Sequence, residues 1–334
     1  MIDLSTNYVG LTLKNPLVAS SSPLTESVDN LVQLEDAGVA AVVLPSLFEE
    51  QLTIDSVALD EDLWRGTQEF AEALTYLPDL EHYNANPDGY LDKIRQAKRR
   101  LGIPVFASLN GSTPGGWVRY AQEIEQAGAD GLELNLYAIP TDVNRSGEAV
   151  ENELCELVHQ LRTSVKLPIA VKMTPFFSSI PHIAIRFDTA GADALILFNR
   201  FYQPDFDIQN LEVIPRLTLS EPYELLLRLH WVAILFERVR PSLAVTGGVH
   251  SAEDVLKSLM AGANVAMMTS ALLKNGIRHV HRVLEDMTRW MSENEYESVR
   301  QMRGSMSRRS APNPASFERI NYMKVLSSYA LRMR

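Results

Sequence analysis

Residues 117–136 read WVRYAQEIEQAGADGLELNL, and this stretch decides the fold. Its first part, Trp117–Ala127, spaces apolar residues along one face of a helix. Ala127-Gly128 then ends that helix, because glycine readily takes the left-handed conformation that closes one. Gly131–Leu136, which follows, is short and mainly apolar, as a buried parallel strand should be. The same Ala-Gly stop recurs at Ala37-Gly38, Ala190-Gly191 and Ala261-Gly262, each leading into an apolar segment: Val39–Leu44, Ala194–Phe198 and Val265–Met268.

A second punctuation places proline just before a strand. It marks Pro16-Leu17-Val18-Ala19-Ser20, Pro104-Val105-Phe106-Ala107-Ser108, Pro168-Ile169-Ala170-Val171-Lys172 and Pro241-Ser242-Leu243-Ala244-Val245. Both kinds together give strand candidates near residues 17, 40, 105, 132, 169, 195, 244 and 265. Amphipathic stretches such as Val28–Ala37, Val150–Leu161 and Ala252–Ala261 lie between most of them. Alternating strands and helices imply a parallel α/β sheet, and eight units imply closure into a (β/α)8 TIM barrel. An open doubly wound sheet is the other arrangement this alternation allows. The expected organisation is one barrel domain over residues 1–304 and a C-terminal extension over 305–334. Insertions are expected after the second and sixth strands. The first contains a helical stretch, Leu63–Leu77, and a turn-rich one, Pro78–Gly89; the second, Asn199–Pro222, reads as loop. Long insertions after barrel strands usually build the substrate side of a site.

The formal net charge is −11, so an acidic surface argues against nucleic acid as the main partner. The basic residues in Arg300–Arg309 and Arg332–Arg334 read as a solvated tail. Met1-Ile2-Asp3-Leu4-Ser5 starts no signal peptide pattern, and apolar runs such as Ala194–Phe198 are strand length, far short of the ~20 residues of a membrane span. Cys155, the single cysteine, sits in a helical context and reads as a packed thiol. A reducing, cytoplasmic setting without a membrane partner is expected.

In such a barrel the chemistry lies at the C-terminal ends of the strands. Those ends supply Ser20-Ser21-Ser22, Pro45-Ser46, Asn110-Gly111, Asn135, Lys172, Asn199, Gly247-Gly248 and Thr269-Ser270, an unusually polar set beside a core. Thr246-Gly247-Gly248 and Met268-Thr269-Ser270 end the last two strands. Glycines let a backbone approach a ligand closely, and Thr-Ser offers hydroxyls and amides to an anion, so a phosphate site is expected there. A glycine turn followed by an ordinary cap is the plainer alternative. Lys172 closes the apolar run Ile169–Met173 and is expected to point into the site. Asn135 and Asn199 are amides within apolar strand sequence and read as ligand-orienting groups. His250 reads as a turn residue, and His230, His279 and His281 fall on helices. No His, Cys and carboxylate cluster has metal-ligand spacing, no Ser-His-Asp grouping stands out, and there is no Gly-x-Gly-x-x-Gly dinucleotide fingerprint.

Taken in order, Lys14-Asn15-Pro16, Ser20-Ser21-Ser22, Glu133-Leu134-Asn135-Leu136, Val171-Lys172, Phe198-Asn199, Thr246-Gly247-Gly248 and Thr269-Ser270-Ala271-Leu272 resemble the dihydroorotate dehydrogenase family through nearly the whole chain. The resemblance implies an FMN-dependent oxidoreductase of CH–CH groups, linked to pyrimidine metabolism, active on a small molecule and homodimeric. It places Lys172 against the flavin ring, where a cation would favour the anionic reduced form. Asn135 and Asn199 would bind flavin or substrate, and Gly247, Gly248, Thr269 and Ser270 the FMN phosphate. With the strand-end reading, the cofactor set becomes Ser20, Ser21, Ser46, Asn110, Asn135, Lys172, Gly247, Gly248, Thr269 and Ser270.

The departures fall on the substrate side. The family's Ser-Cys-Pro-Asn segment, whose cysteine or serine is the catalytic base, is replaced by Tyr137-Ala138-Ile139-Pro140, so Ala138 stands where the base belongs. Pro45 replaces the family's lysine after the second strand. The substrate-loop motif Asn-x-x-Gly-x-x-Asn has no counterpart around Tyr76-Leu77-Pro78-Asp79, and the Gly-Gly-x-Ser-Gly segment survives only as Thr218-Leu219-Ser220-Glu221. Tyr137 is the candidate catalytic residue besides Lys172, as a replacement proton relay, with Ser46 a second possibility. Oxidoreductase chemistry is the leading expectation. A flavin-binding barrel with little dihydroorotate turnover and a non-flavin phosphate-binding isomerase are the alternatives.

Overall fold

The computed structural model describes residues 2–48, 87–111, 117–137, 139–200, 203–214 and 217–317, together with Tyr322, Met323, Val325 and Leu326. The chain starts with a hairpin of β1 (Thr6–Tyr8) and β2 (Leu11–Leu13). Six parallel strands follow: β3 (Leu17–Ala19), β4 (Ala41–Phe48), β5 (Val105–Gly111), β6 (Gly131–Leu136), β7 (Ile169–Met173) and β8 (Ala194–Leu197). A second hairpin, β9 (Asp205–Asp207) with β10 (Glu212–Ile214), precedes β11 (Ser242–Thr246) and β12 (Val265–Met268).

The eight strand candidates are the eight barrel strands. They close in the order β11-β12-β3-β4-β5-β6-β7-β8, and the closing pair sets Ala266 beside Leu17, which rules out the open sheet. Gly38, Gly128, Gly191 and Gly262 all have positive φ, as the four Ala-Gly stops require. The helices Trp117–Ala127 and Ala252–Ala261 match their sequence expectation. The helix expected over Val150–Leu161 runs further, from Gly147 to Ser164, because Ser146 accepts a hydrogen bond from the Ala149 amide and caps it early.

Two features differ from the sequence reading. Asn199–Pro222, expected as loop, contains the β9–β10 hairpin among its described residues. Of the insertion expected between the second and third barrel strands, Leu63–Leu77 and most of the turn-rich Pro78–Gly89 lie outside the described residues, and Pro87–Gly89, expected as turn, begin the helix Pro87–Arg100. The N-terminal hairpin was too short to show as a pattern, yet it floors the barrel. Val9 N–H donates to Ser242 Oγ (3.1 Å), and Thr6 Oγ1 donates to the Asn264 carbonyl (2.9 Å), at the N-terminal ends of β11 and β12. Past Gly304 the chain stays against the outer helices, with Met306 N–H donating to Met260 O and Arg308 N–H to Ala233 O. Among the described residues, no helix is long and apolar enough to cross a membrane.

The barrel interior is layered, because alternate residues of each strand point inward. In the lowest layer Phe106 of β5 sits beside Gly131 of β6, and a Cβ on Gly131 would lie 2.4 Å from the Phe106 ring. Tyr8 of the hairpin packs on Phe106 with ring centroids 5.8 Å apart. Phe106 therefore joins floor and barrel. Phe106→Ala should destabilise the fold by about 3–5 kcal/mol in urea unfolding, through lost burial and the cavity it leaves. A loss under ~1 kcal/mol would show that this layer repacks and is not a fixed floor.

Candidate functional site

Above the Phe106 layer the interior turns polar. Ser108 of β5 is in register with Glu133 of β6, and one layer higher Asn110, Asn135 and Lys172 stand side by side on β5, β6 and β7. Glu133 is 1% exposed and Lys172 7% exposed, so both need partners. Lys172 Nζ donates to Glu133 Oε1 at 3.2 Å, and Ser108 Oγ donates to the same oxygen at 3.3 Å. Among the described residues, Glu133 Oε2 has no hydrogen-bond partner, and neither has the buried Tyr8 hydroxyl. Burial, and then the Glu133 charge, push the Tyr8 phenol well above its ordinary range.

β4 reaches this network through an irregularity. Val43 pairs with Phe106 but Ser46 with Ser108, so β4 holds one extra residue across the same span. Pro45 lies within that bulge, where a residue without an N–H is tolerated. The shift puts Ser46 Oγ 2.8 Å from Ser108 Oγ. Ser46, Ser108, Glu133 and Lys172 thus form one hydrogen-bonded line. Tyr90, from the helix Pro87–Arg100, braces it from outside: its hydroxyl accepts from Ser108 N–H (2.8 Å) and donates to Ser108 O (3.3 Å).

Eleven of the residues read from the sequence come together. Ser20, Ser21, Ser46, Asn110, Asn135, Lys172, Asn199, Gly247, Gly248, Thr269 and Ser270 all line one cavity of about 340 Å³ at the C-terminal ends of the strands. Phe198, Val249 and Met267 give it apolar surface. Asn199 Nδ2 donates to Asn135 Oδ1 at 2.9 Å, fixing the two amides against each other. Tyr137 lines an adjoining outer cavity of about 810 Å³, which shares Phe48, Asn110, Asn135, Asn199, Arg200 and Leu217 with the inner one. His250 lies in the turn after β11, 3.4 Å from Ser220 Oγ, and lines neither cavity. Ala138 lies outside the described residues.

The far end of the inner cavity is built from the turns after β11 and β12. Gly247 and Gly248 have φ of +85° and +82°, and a Cβ on Gly248 would lie 2.4 Å from the Leu225 backbone nitrogen. Only glycine fits there. Ser220 ties this end together: its N–H donates to Ser270 Oγ (2.9 Å) and its Oγ accepts from Gly248 N–H (3.2 Å). The remnant of the Gly-Gly-x-Ser-Gly segment is thus part of the wall.

Glu133, Ser108, Ser220, Arg200 and Arg228 also belong to the site and were not picked out from the sequence. A signal existed for two of them. Glu133 shares strand parity with Asn135, and Arg228 interrupts the apolar helix Leu225–Leu235. Arg200 follows Asn199 and lies 3.3 Å from Glu224 across the cavity rim.

This architecture defines a barrel enzyme with adjoining mixed polar and apolar cavities at the strand ends. The dihydroorotate dehydrogenase family profile matches residues 83–291, and the chain belongs to that family. Among its relatives, the catalytic subunit of dihydroorotate dehydrogenase B (NAD(+)) from Thermoplasma acidophilum is 27% identical over 314 residues, 91% of this chain and 99% of its own. The corresponding subunit from Methanosarcina acetivorans is 29% identical over 274 residues, 80% of this chain and 84% of its own. The PreA subunit of NAD-dependent dihydropyrimidine dehydrogenase from Escherichia coli is 22% identical over 333 residues, covering 90% and 76%. The protein is accordingly an oxidoreductase of CH–CH groups.

The pairing of Lys172 with Glu133 can be measured through stability. Lys172→Ala leaves a carboxylate uncompensated in the interior and should cost about 3–5 kcal/mol. Adding Glu133→Gln should restore a large part of that loss, a coupling of at least ~1 kcal/mol in the double-mutant cycle. Additive effects of the two changes would mean that the side chains do not interact.

Proposed function

We propose that the protein is an FMN-dependent oxidoreductase that moves hydride between a small dihydro or unsaturated ring and the flavin. One observation carries this reading: the inner cavity joins an anion-adapted glycine turn at one end to a buried lysine and paired amides at the other. Its size falls within the ~300–1,000 Å³ range of cofactor and ligand sites, and the outer cavity leaves room for a second small molecule. When bound, FMN would supply the two-electron chemistry. Gly247, Gly248, Thr269 and Ser270 would hold the phosphate, while Ser20, Ser21, Ser46, Asn110, Asn135 and Lys172 would border the ring system. Lys172 would favour the reduced anion, with Glu133 tempering that effect through the ion pair. Asn135 and Asn199 would orient the substrate.

The substrate is best read as a neutral ring. Arg200, the guanidinium among the described residues that line the outer cavity, is already engaged by Glu224, and Lys274 nearby holds Glu221. A substrate carboxylate would have to compete with Glu224 for Arg200. The sequence agrees, since Ala138 offers a methyl group where the family has its base, and Pro45 removes a lysine. Tyr137, in the outer cavity, is the group placed to exchange a proton in its stead. The same reading takes the protein as a cytoplasmic homodimer, and the exposed Phe206, Ile208, Leu211 and Val213 of the β9–β10 hairpin offer apolar surface for association.

Denaturing the purified protein should release FMN; colourless protein that FMN cannot reconstitute would contradict the reading. In anaerobic stopped-flow, dihydroorotate should reduce the bound flavin at least ~10²-fold more slowly than it reduces a family member whose base is intact. A neutral dihydropyrimidine should be the faster of the two substrates with this protein. Rapid bleaching by dihydroorotate, abolished in Tyr137→Phe, would show instead that Tyr137 serves as a full-strength base.

A further inference from the structure

Arg228 is a buried cation at the glycine-turn end of the inner cavity, with no salt bridge to a carboxylate among the described residues. It is 7% exposed, in the helix Leu225–Leu235, among residues that are mostly apolar. Two of its nitrogens are taken by neutral acceptors: Nε donates to Thr246 O at 2.9 Å and Nη1 to Glu224 O at 2.7 Å. Among the described residues, Nη2 has no hydrogen-bond partner. It lies beside Gly247, 2.9 Å from where a Cβ on that residue would sit, and Arg228 lines the cavity together with Gly247, Gly248 and Ser270. The Glu224 carboxylate turns to Arg200 instead, at 3.3 Å. Lys274, the other cation nearby, is engaged by Glu221 at 2.6 Å.

A guanidinium removed from water needs a counter-charge, and neutral carbonyls compensate it only in part. Burial lowers the Arg228 pKa from its usual value, with Glu224 acting in the opposite direction and Arg200 reinforcing the decrease. The two backbone bonds fix the planar group in one orientation, so its remaining N–H groups are presented to the cavity already ordered. The missing partner is an anion that approaches along the glycine turn, and a phosphate monoester matches the fork geometry.

We propose that Arg228 is the fixed counter-charge of the cofactor phosphate and makes the site selective for phosphorylated over unphosphorylated flavin. The proposal rests on the flavin reading above and goes beyond it by assigning the selectivity to one side chain. A phosphate bound by backbone amides alone would be recognised chiefly by shape. One bound also by a buried guanidinium is recognised by charge, which riboflavin lacks. A purely structural Arg228, tethering its helix to the Thr246 carbonyl, would weaken both flavins equally when removed.

The test is a titration of apoprotein with FMN and with riboflavin, for the unmodified protein, Arg228→Met and Arg228→Gln. The glutamine amide nitrogen stands at the chain position of Nε and can still donate to the Thr246 carbonyl but carries no charge, so it guards against a misfolded methionine variant. Loss of a charge-assisted hydrogen bond should lower the FMN preference over riboflavin by about ten- to a hundredfold, with riboflavin affinity kept within about threefold. Equal weakening of both flavins, or an unchanged preference, overturns the proposal. Inorganic phosphate supplies a separate arm: it should raise the melting temperature of the unmodified apoprotein and leave Arg228→Gln unshifted. Failure to bind either flavin, with the phosphate effect intact, would overturn the flavin reading and leave Arg228 as an anion site. No phosphate effect in the unmodified apoprotein, or an equal effect in both proteins, overturns the role of Arg228 itself.

Discussion

Each barrel strand turns every second residue inward, and on β5, β6 and β7 this fixed period decides what occupies the centre of the protein. Going up from the floor, β5 contributes Phe106, Ser108 and Asn110, while β6 contributes Gly131, Glu133 and Asn135. β7 adds Ala170 and Lys172 in the same register. The strands cannot slip by one residue without exchanging this polar column for the leucines and valines that face the surrounding helices. The apolar floor, the Lys172–Glu133 pair and the row of amides at the mouth follow from that one constraint.

The consequence is a site with two electrically distinct ends. At one end the glycine turn after β11 and the buried guanidinium of Arg228 line the cavity together. At the other, Lys172 is a cation whose charge is largely matched by Glu133, itself held by Ser108 and, through it, by Ser46. A ligand with one strongly anionic group and one weakly polar ring system suits this division. The bulge at Pro45 belongs to the same design, since it is the shift after Val43 that brings Ser46 to Ser108.

Much of the fold was legible because its punctuation is local. A glycine that must take positive φ, or a proline that must precede a strand, reveals itself within a few residues, and all eight barrel strands were marked in one of these ways. The candidate residues were legible for a related reason: polar side chains at strand ends stand out against an apolar run. What stayed hidden depends on packing between distant segments. Arg228 matters only because its helix docks beside Gly247, and Ser220 only because its loop folds back onto Ser270. The two hairpins have strands of three residues each, too short for a periodic pattern. Glu133 was readable in principle, since it lies two residues before Asn135 on the same face. Lys172, taken alone, looked like an isolated cation, and only the register of β6 against β7 reveals its partner.

That pairing is the centre of the account, because it sets how much positive charge the cavity presents to a bound ring. The most direct test is the reduction potential of the bound flavin in the unmodified protein and in Glu133→Gln. Removing the carboxylate while keeping its shape leaves the Lys172 charge uncompensated, which should stabilise the reduced anion. The account predicts a rise in potential on the order of tens of millivolts. An unchanged potential, with flavin still bound, would contradict it, because Lys172 and Glu133 would then not act together on the ring.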